Sequence, residues 1–369
     1  MKMKRVVDIG RDIVEKYKKY KYIVERYVVD VVSSIIAVLA GFGLGALLLY
    51  LTGYDPVLAY SALFHGAFGT MDSVLDTLTA MIPIIFAGLS AAVMFKASLF
   101  FIGMEGQVYI GAITAFLAGY LISAPPGVHA VIALIAGGLG GVLWGLLPGY
   151  LRAYHGVNET VLAIMLNWVA IYLSDYVVEY AFIDPQATIA RTYNVNPSAM
   201  IPCISEDVSL NYMFFVAIVS CFIVGVLIYK TTLGYEIRCV GLNPVASRVA
   251  KISVEKTYFK TFVISGFLAG LAGASMVLGV FGALVYRFSP GYGWDGITAA
   301  LIARNNPFMI IPASLLLATL RTGSIGMMLM TGVSNEMVLT IQGVVLIVAA
   351  LPEIYRMIYR RIVLRRYKL

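Results

Sequence analysis

Two polar side chains interrupt an apolar, glycine-containing stretch at residues 99–112, which reads LFFIGMEGQVYIGA. They are the carboxylate of Glu105 and the amide of Gln107. A carboxylate in an apolar environment needs hydrogen-bond donors or water, because burying it without a partner is costly. We interpret Glu105 either as a cap that fixes a bent helix start, where the helix dipole favours an acid, or as a direct contact for a polar molecule.

A third polar candidate lies in the segment 156–168, GVNETVLAIMLNW. Asn158 is a good helix N-cap and Glu159 falls in the first turn, so a helix is predicted to begin here. Asn167 lies nine residues beyond Asn158, roughly 13 Å along that helix. Its amide either joins two helices or offers hydrogen bonds to a polar solute, and both interpretations stay open.

A short amphipathic helix is predicted at 243–252, within VGLNPVASRVAKISVEKT (240–257). Proline is favoured in the first turn of a helix, and three apolar residues follow at helical spacing. Such a helix docks into the groove of a partner protein or lies on lipid headgroups. The candidate contact residues are Asn243, Pro244, Val245, Ala246, Arg248, Val249 and Ile252.

No catalytic or metal-binding constellation can be assembled from the sequence. The histidines and cysteines show no spacing typical of a metal site or a nucleophile triad, so we predict no metal, no catalytic residue and no cofactor. The phosphate-binding pattern G-x-x-x-x-G-K-[ST] does not occur. We therefore expect that the chain is not an enzyme and that any ATP hydrolysis comes from a partner subunit.

The elements that hold these residues are membrane spans. Hydrophobic residues make up 60% of the 369-residue chain, charged residues only 13%, and the mean hydropathy is +0.87. Since a helical span needs about 20 apolar residues, the chain is predicted to be an all-α, polytopic transmembrane helical bundle. About ten segments are expected, some broken or short, near 31–51, 74–94, 99–121, 130–150, 160–179, 212–229, 260–285, 297–303, 308–330 and 337–351.

Lysine and arginine predict the orientation of the chain, because basic loops stay in the cytoplasm. We expect a basic cytoplasmic segment at 1–30, a transmembrane domain at 31–351 and a basic cytoplasmic tail at 352–369. The loop 230–259 is also basic and is placed inside. The expected location is the cell membrane, with both termini cytoplasmic. Topology accounts for the net charge of +7, so no nucleic-acid surface is invoked.

Small residues predict close helix packing in the segment 130–150. Glycines recur every fourth residue and therefore share one face of a helix, where a neighbouring helix can approach its backbone. They are Gly137, Gly141, Gly145 and Gly149.

Five motifs in order resemble those of ABC-transporter permeases for simple sugars, nucleosides and branched-chain amino acids. They read IGMEGQ (102–107), GVNETVLAIMLNW (156–168), GLNPVASRVAKISVEKT (241–257), FVISGFLAGLAGA (262–274) and ARNNP (303–307). The resemblance implies the transmembrane subunit of a dimeric importer. Two cytoplasmic ATPases would drive it and an extracellular solute-binding protein would supply it. Phe101 stands where the family commonly has Asn, so no role of that Asn is carried over.

Within this family the chain looks most like the larger permease subunit of nucleoside importers. The resemblance implies pairing with a shorter homologous chain, or with a second copy, inside membrane lipid. It also makes Glu105, Gln107 and Asn167 candidates for the translocation path and 243–252 a candidate ATPase-coupling helix. A simple-sugar permease of the ribose, galactose or xylose type is the alternative. An ion-coupled secondary transporter, whose broken helices and buried carboxylates would look similar, is a more distant one.

Overall fold

The computed structural model describes residue 36, residues 38–204 and residues 209–349. Apart from isolated bridges, the regular elements in these ranges are helical, as the apolar composition predicts. The helices are α1 (Val38–Leu51), α2 (Pro56–Phe68), α3 (Met71–Lys96), α4 (Met104–Leu121), α5 (Val128–His155), α6 (Glu159–Tyr176), α7 (Met213–Lys230), α8 (Thr232–Leu242), α9 (Pro244–Val249), α10 (Val254–Met276), α11 (Tyr292–Ile302), α12 (Ile310–Thr331) and α13 (Asn335–Ala349).

Six helical segments in the described ranges are long and apolar enough to cross a membrane. Two of them extend a helix by a π turn, α6 through Val177–Ala181 and α10 through Val277–Phe281. The other four are α3, α5, α7 and α12, the last with its preceding 3-10 turn. The described part of the chain is thus a helical bundle with apolar helices of membrane length, but the predicted count of about ten spans is not confirmed. Helices α1, α4, α11 and α13 match predicted segments and are shorter or less apolar.

Two helices lie where the sequence predicted only loops. α2 lies between the predicted segments 31–51 and 74–94, and α8 lies in the loop 230–259 ahead of the predicted helix 243–252. α2 escaped prediction because its 13 residues are too few for a span. The predicted terminal segments 1–30 and 352–369 lie outside the described residues.

The described residues form two compact units, one within 58–332 and the other made of those between 36 and 57 together with 333–349. In the second unit, the backbone of Gly41 on α1 lies against that of Val345 on α13, and a Cβ atom at Gly41 would come within 2.9 Å of the Val345 Cα atom. In the larger unit, α3 and α10 are the most deeply buried spans. α10 packs against α5, α4 and α3.

Small residues hold α4, α5 and α10 together, as the glycine spacing predicted. A Cβ atom at Gly137 would lie 2.6 Å from the Ala274 Cβ atom, and one at Gly149 would lie 2.8 Å from the Phe262 side chain. Gly141 meets the Gly266 carbonyl oxygen and the backbone of Gly270. These contacts bring three backbones together with little side chain between them, and they fix the helices around the polar residues of α4.

Candidate functional site

A non-helical link connects α3 to α4, which carries the polar residues Glu105 and Gln107. Ser98 at the start of this link has a left-handed backbone (φ 54°), and its hydroxyl donates a hydrogen bond to the Gly241 carbonyl oxygen at 2.6 Å. Gly241 belongs to the last turn of α8. The link is therefore tied at one end to the helix that precedes α9.

Side chains of α6 hold the rest of the link. The Phe100 N–H donates to the Glu159 carboxylate at 3.2 Å, and the Phe100 carbonyl oxygen accepts from the Thr160 hydroxyl at 2.5 Å. Glu159 also pairs with Arg152 of α5 at 3.2 Å. The predicted N-cap Asn158 is confirmed, because its side chain accepts from the N–H groups of Thr160 and Val161. The start of α6 therefore fixes the path of the chain into α4.

Asn167 joins α6 to the beginning of α4. Its Oδ1 atom accepts from the Gly106 N–H at 2.8 Å, and its Nδ2 atom donates to the Ile102 carbonyl oxygen at 2.9 Å. Its side chain is buried, so these bonds satisfy backbone groups that water does not reach. Of the two interpretations drawn from the sequence, this geometry matches the joining of two helices.

Glu105 caps a helix, but not the helix it belongs to. Its carboxylate is 4% exposed and accepts hydrogen bonds from the Ser289 hydroxyl and the Gly293 N–H, both at 2.6 Å. The Ser289 oxygen in turn accepts from the Gly291 and Tyr292 N–H groups. Together they satisfy the N-terminal donors of α11, where a negative charge is also favoured by the helix dipole.

A partly buried ion pair lies beside this helix start. Asp295 lies in the first turn of α11 and pairs with Arg321 of α12. The Arg321 guanidinium also donates to the Pro290 carbonyl oxygen at 3.4 Å and lies 5.0 Å from the centre of the Tyr292 ring. The Glu105 carboxylate, the Asp295–Arg321 pair and Ser289 form one polar cluster around the start of α11.

Gln107 differs from the other two predicted path residues. Its side chain is completely buried, yet neither its Oε1 nor its Nε2 atom has a hydrogen-bond partner in the part of the chain that the structure describes. The amide faces α5, and a Cβ atom at Gly145 would come within 2.6 Å of Nε2. The buried indole Nε1 of Trp144 is likewise unpartnered. Such atoms are costly, so they indicate a place where another polar group binds or where the helices rearrange.

The second region of interest is the surface around α9. Asn243 caps this helix by accepting from the Val245 and Ala246 N–H groups at 3.0 and 3.1 Å. The helix itself spans Pro244–Val249, so the predicted length 243–252 is too long. Lys251 adopts a left-handed backbone (φ 61°), which ends the helix and removes Ile252 from the predicted apolar stripe.

The apolar side chains of this surface point away from the chain. Leu242, Val245 and Val249 are 87%, 71% and 83% exposed, and Ala246 is exposed beside them. With the exposed Arg248 they form what we call the α9 surface. Arg248 pairs with Glu255 at 2.5 Å. A cleft of about 350 Å³ adjoins it, lined among others by Arg152, Pro244, Val245 and Tyr258.

Sequence reasoning missed several residues of these two regions. Ser98, Ser289 and Gly293 had no pattern that marked them as partners of α8 and of Glu105. The only local signal was the SPGYG stretch at 289–293, where a serine precedes proline and glycine as at many helix starts. Among the described residues, no group of His, Cys, Asp and Glu side chains could hold a metal ion.

A bundle of membrane-length helices with an internal polar cluster, and with a short helix exposed between two spans, is typical of a membrane transport protein. The chain belongs to the family described as the permease component of the branched-chain amino acid transport system, which matches residues 73–350. This membership confirms the family resemblance of the motifs and decides against a secondary transporter. The protein is a multi-pass membrane permease.

Three relatives narrow the comparison. The guanosine ABC transporter permease protein NupP of Bacillus subtilis is 34% identical over 86% of this chain and 92% of its own length. The nucleoside ABC transporter permease protein NupB of Lactococcus lactis subsp. cremoris is 34% identical over 80% of this chain and 84% of its own. The glucose ABC transporter permease protein TsgB13 of Haloferax volcanii is 28% identical over 88% of both chains.

Proposed function

We propose that this chain is the permease subunit of an ATP-driven importer that carries nucleosides. The observation that carries the proposal is its similarity to two nucleoside permeases over most of both chains, at 34% identity in each case. A sugar is the second candidate, because a glucose permease aligns over a comparable length, though at the lower identity of 28%.

The partners follow from this role. The chain pairs with a second permease subunit, either a shorter homologue or another copy, within membrane lipid. Cytoplasmic ATPases supply the ATP hydrolysis, because the sequence lacks a phosphate-binding loop. A solute-binding protein delivers the solute from outside. Residues 1–30 and 352–369 are basic and lie in the cytoplasm together with the α9 surface, and residues 31–351 form the permease domain.

The three polar residues of the predicted path have different roles in this proposal. Gln107 is the group that offers hydrogen bonds to the passing solute, because its buried amide has no partner in the described chain. Glu105 and Asn167 position the helices around it, since their polar atoms bind the starts of α11 and α4. No catalytic residue and no cofactor are required.

Uptake measurements test the choice of solute. We expect the complete importer, with its ATPase, second permease and binding protein, to take up radiolabelled guanosine, adenosine or uridine into proteoliposomes in the presence of ATP. Unlabelled nucleosides should compete, and monosaccharides in 100-fold excess should not. Calorimetry on the binding protein provides an independent measurement. Tight binding of a monosaccharide, with no binding of any nucleoside, would replace the nucleoside proposal by the sugar alternative.

The α9 surface is proposed as the contact for the ATPase. Three exposed apolar side chains, two on α9 and one at the end of α8, match the pattern of a helix that seats in a groove. Basic residues around them, among them Arg248, favour a groove with an acidic rim. Binding to lipid headgroups is the competing interpretation.

Ala246→Glu is expected to release the ATPase. The substitution would place an unpaired carboxylate at the centre of the contact, where burial of a charge costs several kcal/mol. We expect uptake to fall at least about tenfold and co-purification of the ATPase to be lost, while the permease inserts normally. Ala190→Glu, at an exposed position in the segment between α6 and α7, is the matched control and should behave as wild type. A fully active Ala246→Glu importer would favour the lipid interpretation.

A further inference from the structure

Helix α6 and the π turn that follows it expose four aromatic side chains, each four residues after the last. They are Trp168, Tyr172, Tyr176 and Tyr180, which are 52%, 59%, 58% and 73% exposed. Trp168 stacks on Tyr172 with ring centres 5.9 Å apart and 29° between the ring planes. Tyr176 stacks on Tyr180 at 5.7 Å and 23°. Because residues four apart share a helix face, the two stacked pairs follow one another along the segment, and we call the four residues the aromatic ladder.

The ladder extends deeper into the membrane span than an aromatic belt does. Trp168 lies nine residues after Glu159, roughly 13 Å along the helix, and so falls near the middle of the span Glu159–Ala181. Aromatic belts lie at the two membrane surfaces, so a belt accounts for one end of the row only. Phenol hydroxyls are also poorly accommodated by hydrocarbon. A row that starts in mid-span and continues to the end of the segment suits the wall of a polar path.

Two acids of α6 and its π turn, and one arginine from another part of the chain, accompany the ladder. Asp175, between Tyr172 and Tyr176 in sequence, is 8% exposed and pairs through Oδ2 with Arg287 at 3.3 Å. Its buried Oδ1 atom has no hydrogen-bond partner in the described chain. The Arg287 side chain is half exposed, and Glu179 next to Tyr180 is exposed as well. A carboxylate oxygen, a guanidinium and an exposed acid are groups that bind hydroxyls or ring edges and that lipid tails do not satisfy.

We propose that the aromatic ladder binds the planar heterocyclic ring of the transported solute by stacking, on successive aromatic side chains. The Asp175–Arg287 pair offers hydrogen bonds to the polar edge or hydroxyl groups of the same solute. Stacking on aromatic side chains tolerates different bases, because every base has a π face. The inference rests on the proposed function, and it identifies the ring as the part of a nucleoside on which the ladder stacks.

Leucine and phenylalanine substitutions in the complete importer test the ladder. Trp168→Leu and Tyr172→Leu remove a stacking surface, and we expect each to lower nucleoside uptake about tenfold. Trp168→Phe and Tyr172→Phe keep a ring and should retain at least half of the uptake. Phe215→Leu, at an exposed aromatic on α7, is the matched control and should leave uptake unchanged. If both leucine variants insert normally and take up nucleosides at the wild-type rate, the proposal that the ladder binds the solute is wrong.

Quenching of Trp168 fluorescence by lipid tests whether the ladder faces the lipid, and it needs no transport measurement. In the complete importer, Trp144→Phe and Trp294→Phe leave Trp168 as the only tryptophan of this chain. A matched importer that also carries Trp168→Phe gives the signal of the other subunits, which is subtracted. We expect phospholipids brominated on their acyl chains to leave the Trp168 fluorescence nearly unchanged, and guanosine to quench it.

The outcomes distinguish the two proposals. Strong quenching by brominated lipid places Trp168 against lipid and overturns the ladder, whatever the solute. If the wild-type importer takes up no nucleoside at all, the proposed function fails instead. If it takes up nucleosides and the leucine variants do so equally well, the ladder fails and the proposed function stands.

Discussion

Glu105→Ala is expected to reduce uptake by the complete importer on the order of 100-fold while the chain still reaches the membrane. The substitution leaves the Ser289 hydroxyl and the Gly293 N–H buried without their acceptor. A buried donor without a partner costs about 1–3 kcal/mol, so the start of α11 loses about 2–6 kcal/mol of support. The helix is then expected to shift or fray at the point where it borders the polar interior.

Two further variants show whether the capping of α11 is the cause. Glu105→Gln keeps one carbonyl oxygen as an acceptor and is expected to retain a measurable part of the uptake. Asp72→Ala removes an acid from the first turn of α3, where the side chain is exposed, and should cost little. If Glu105→Ala transports as fast as wild type, the carboxylate is not needed to hold α11. If Glu105→Gln is as inactive as Glu105→Ala, the negative charge matters more than the hydrogen bonds.

Gly270→Leu is expected to prevent α4, α5 and α10 from packing. Even a Cβ atom at this position would overlap the Gly137 carbonyl oxygen and lie 3.0 Å from the Gly138 Cα atom. Overpacking by a few methylenes costs about 1–3 kcal/mol where side chains can move, and here the obstacle is backbone. We expect the amount of monodisperse protein in mild detergent to fall at least about tenfold.

The control for this experiment is a glycine in an open position. A Cβ atom at Gly43 of α1 would have no atom within 4 Å, so Gly43→Leu should purify and melt like wild type. Gly270→Ala adds the smallest possible side chain and should already lower the melting temperature. Normal yield and melting of Gly270→Leu would mean that the three backbones are not held as closely as their glycines indicate.

The elements of the fold could be predicted to the extent that local signals determine them. Long apolar runs predicted the membrane helices, Asn158 and Asn243 predicted two helix starts, and the glycine spacing predicted the packed face of α5. The number of true spans could not be predicted, because α4 and α11 carry polar and glycine residues that weaken their apolar signal. Helices α2 and α8 are too short to be recognised as spans, although Thr231 caps the start of α8.

The partners of the candidate site could not be predicted, because they are distant in sequence. Glu105 binds groups more than 180 residues away, and Asn167 binds the backbone of Gly106, 61 residues away. Periodicity and capping rules act within one or two turns, so they identified these residues as unusual without showing what they bind. The same rules predicted α9 to be too long, since no local sequence signal indicates that Lys251 adopts a left-handed backbone.

The hydrogen bond between Glu105 and Gly293 also limits when α4 can complete its packing during synthesis of the chain. The two residues are 188 positions apart, so at about 5–20 residues per second the ribosome reaches Gly293 roughly 10–40 s after Glu105. During that interval the carboxylate needs water or another donor, because Ser289 and Gly293, which donate to it in the folded chain, have not yet been made. α4 therefore cannot reach its final packing until α11 has been synthesised.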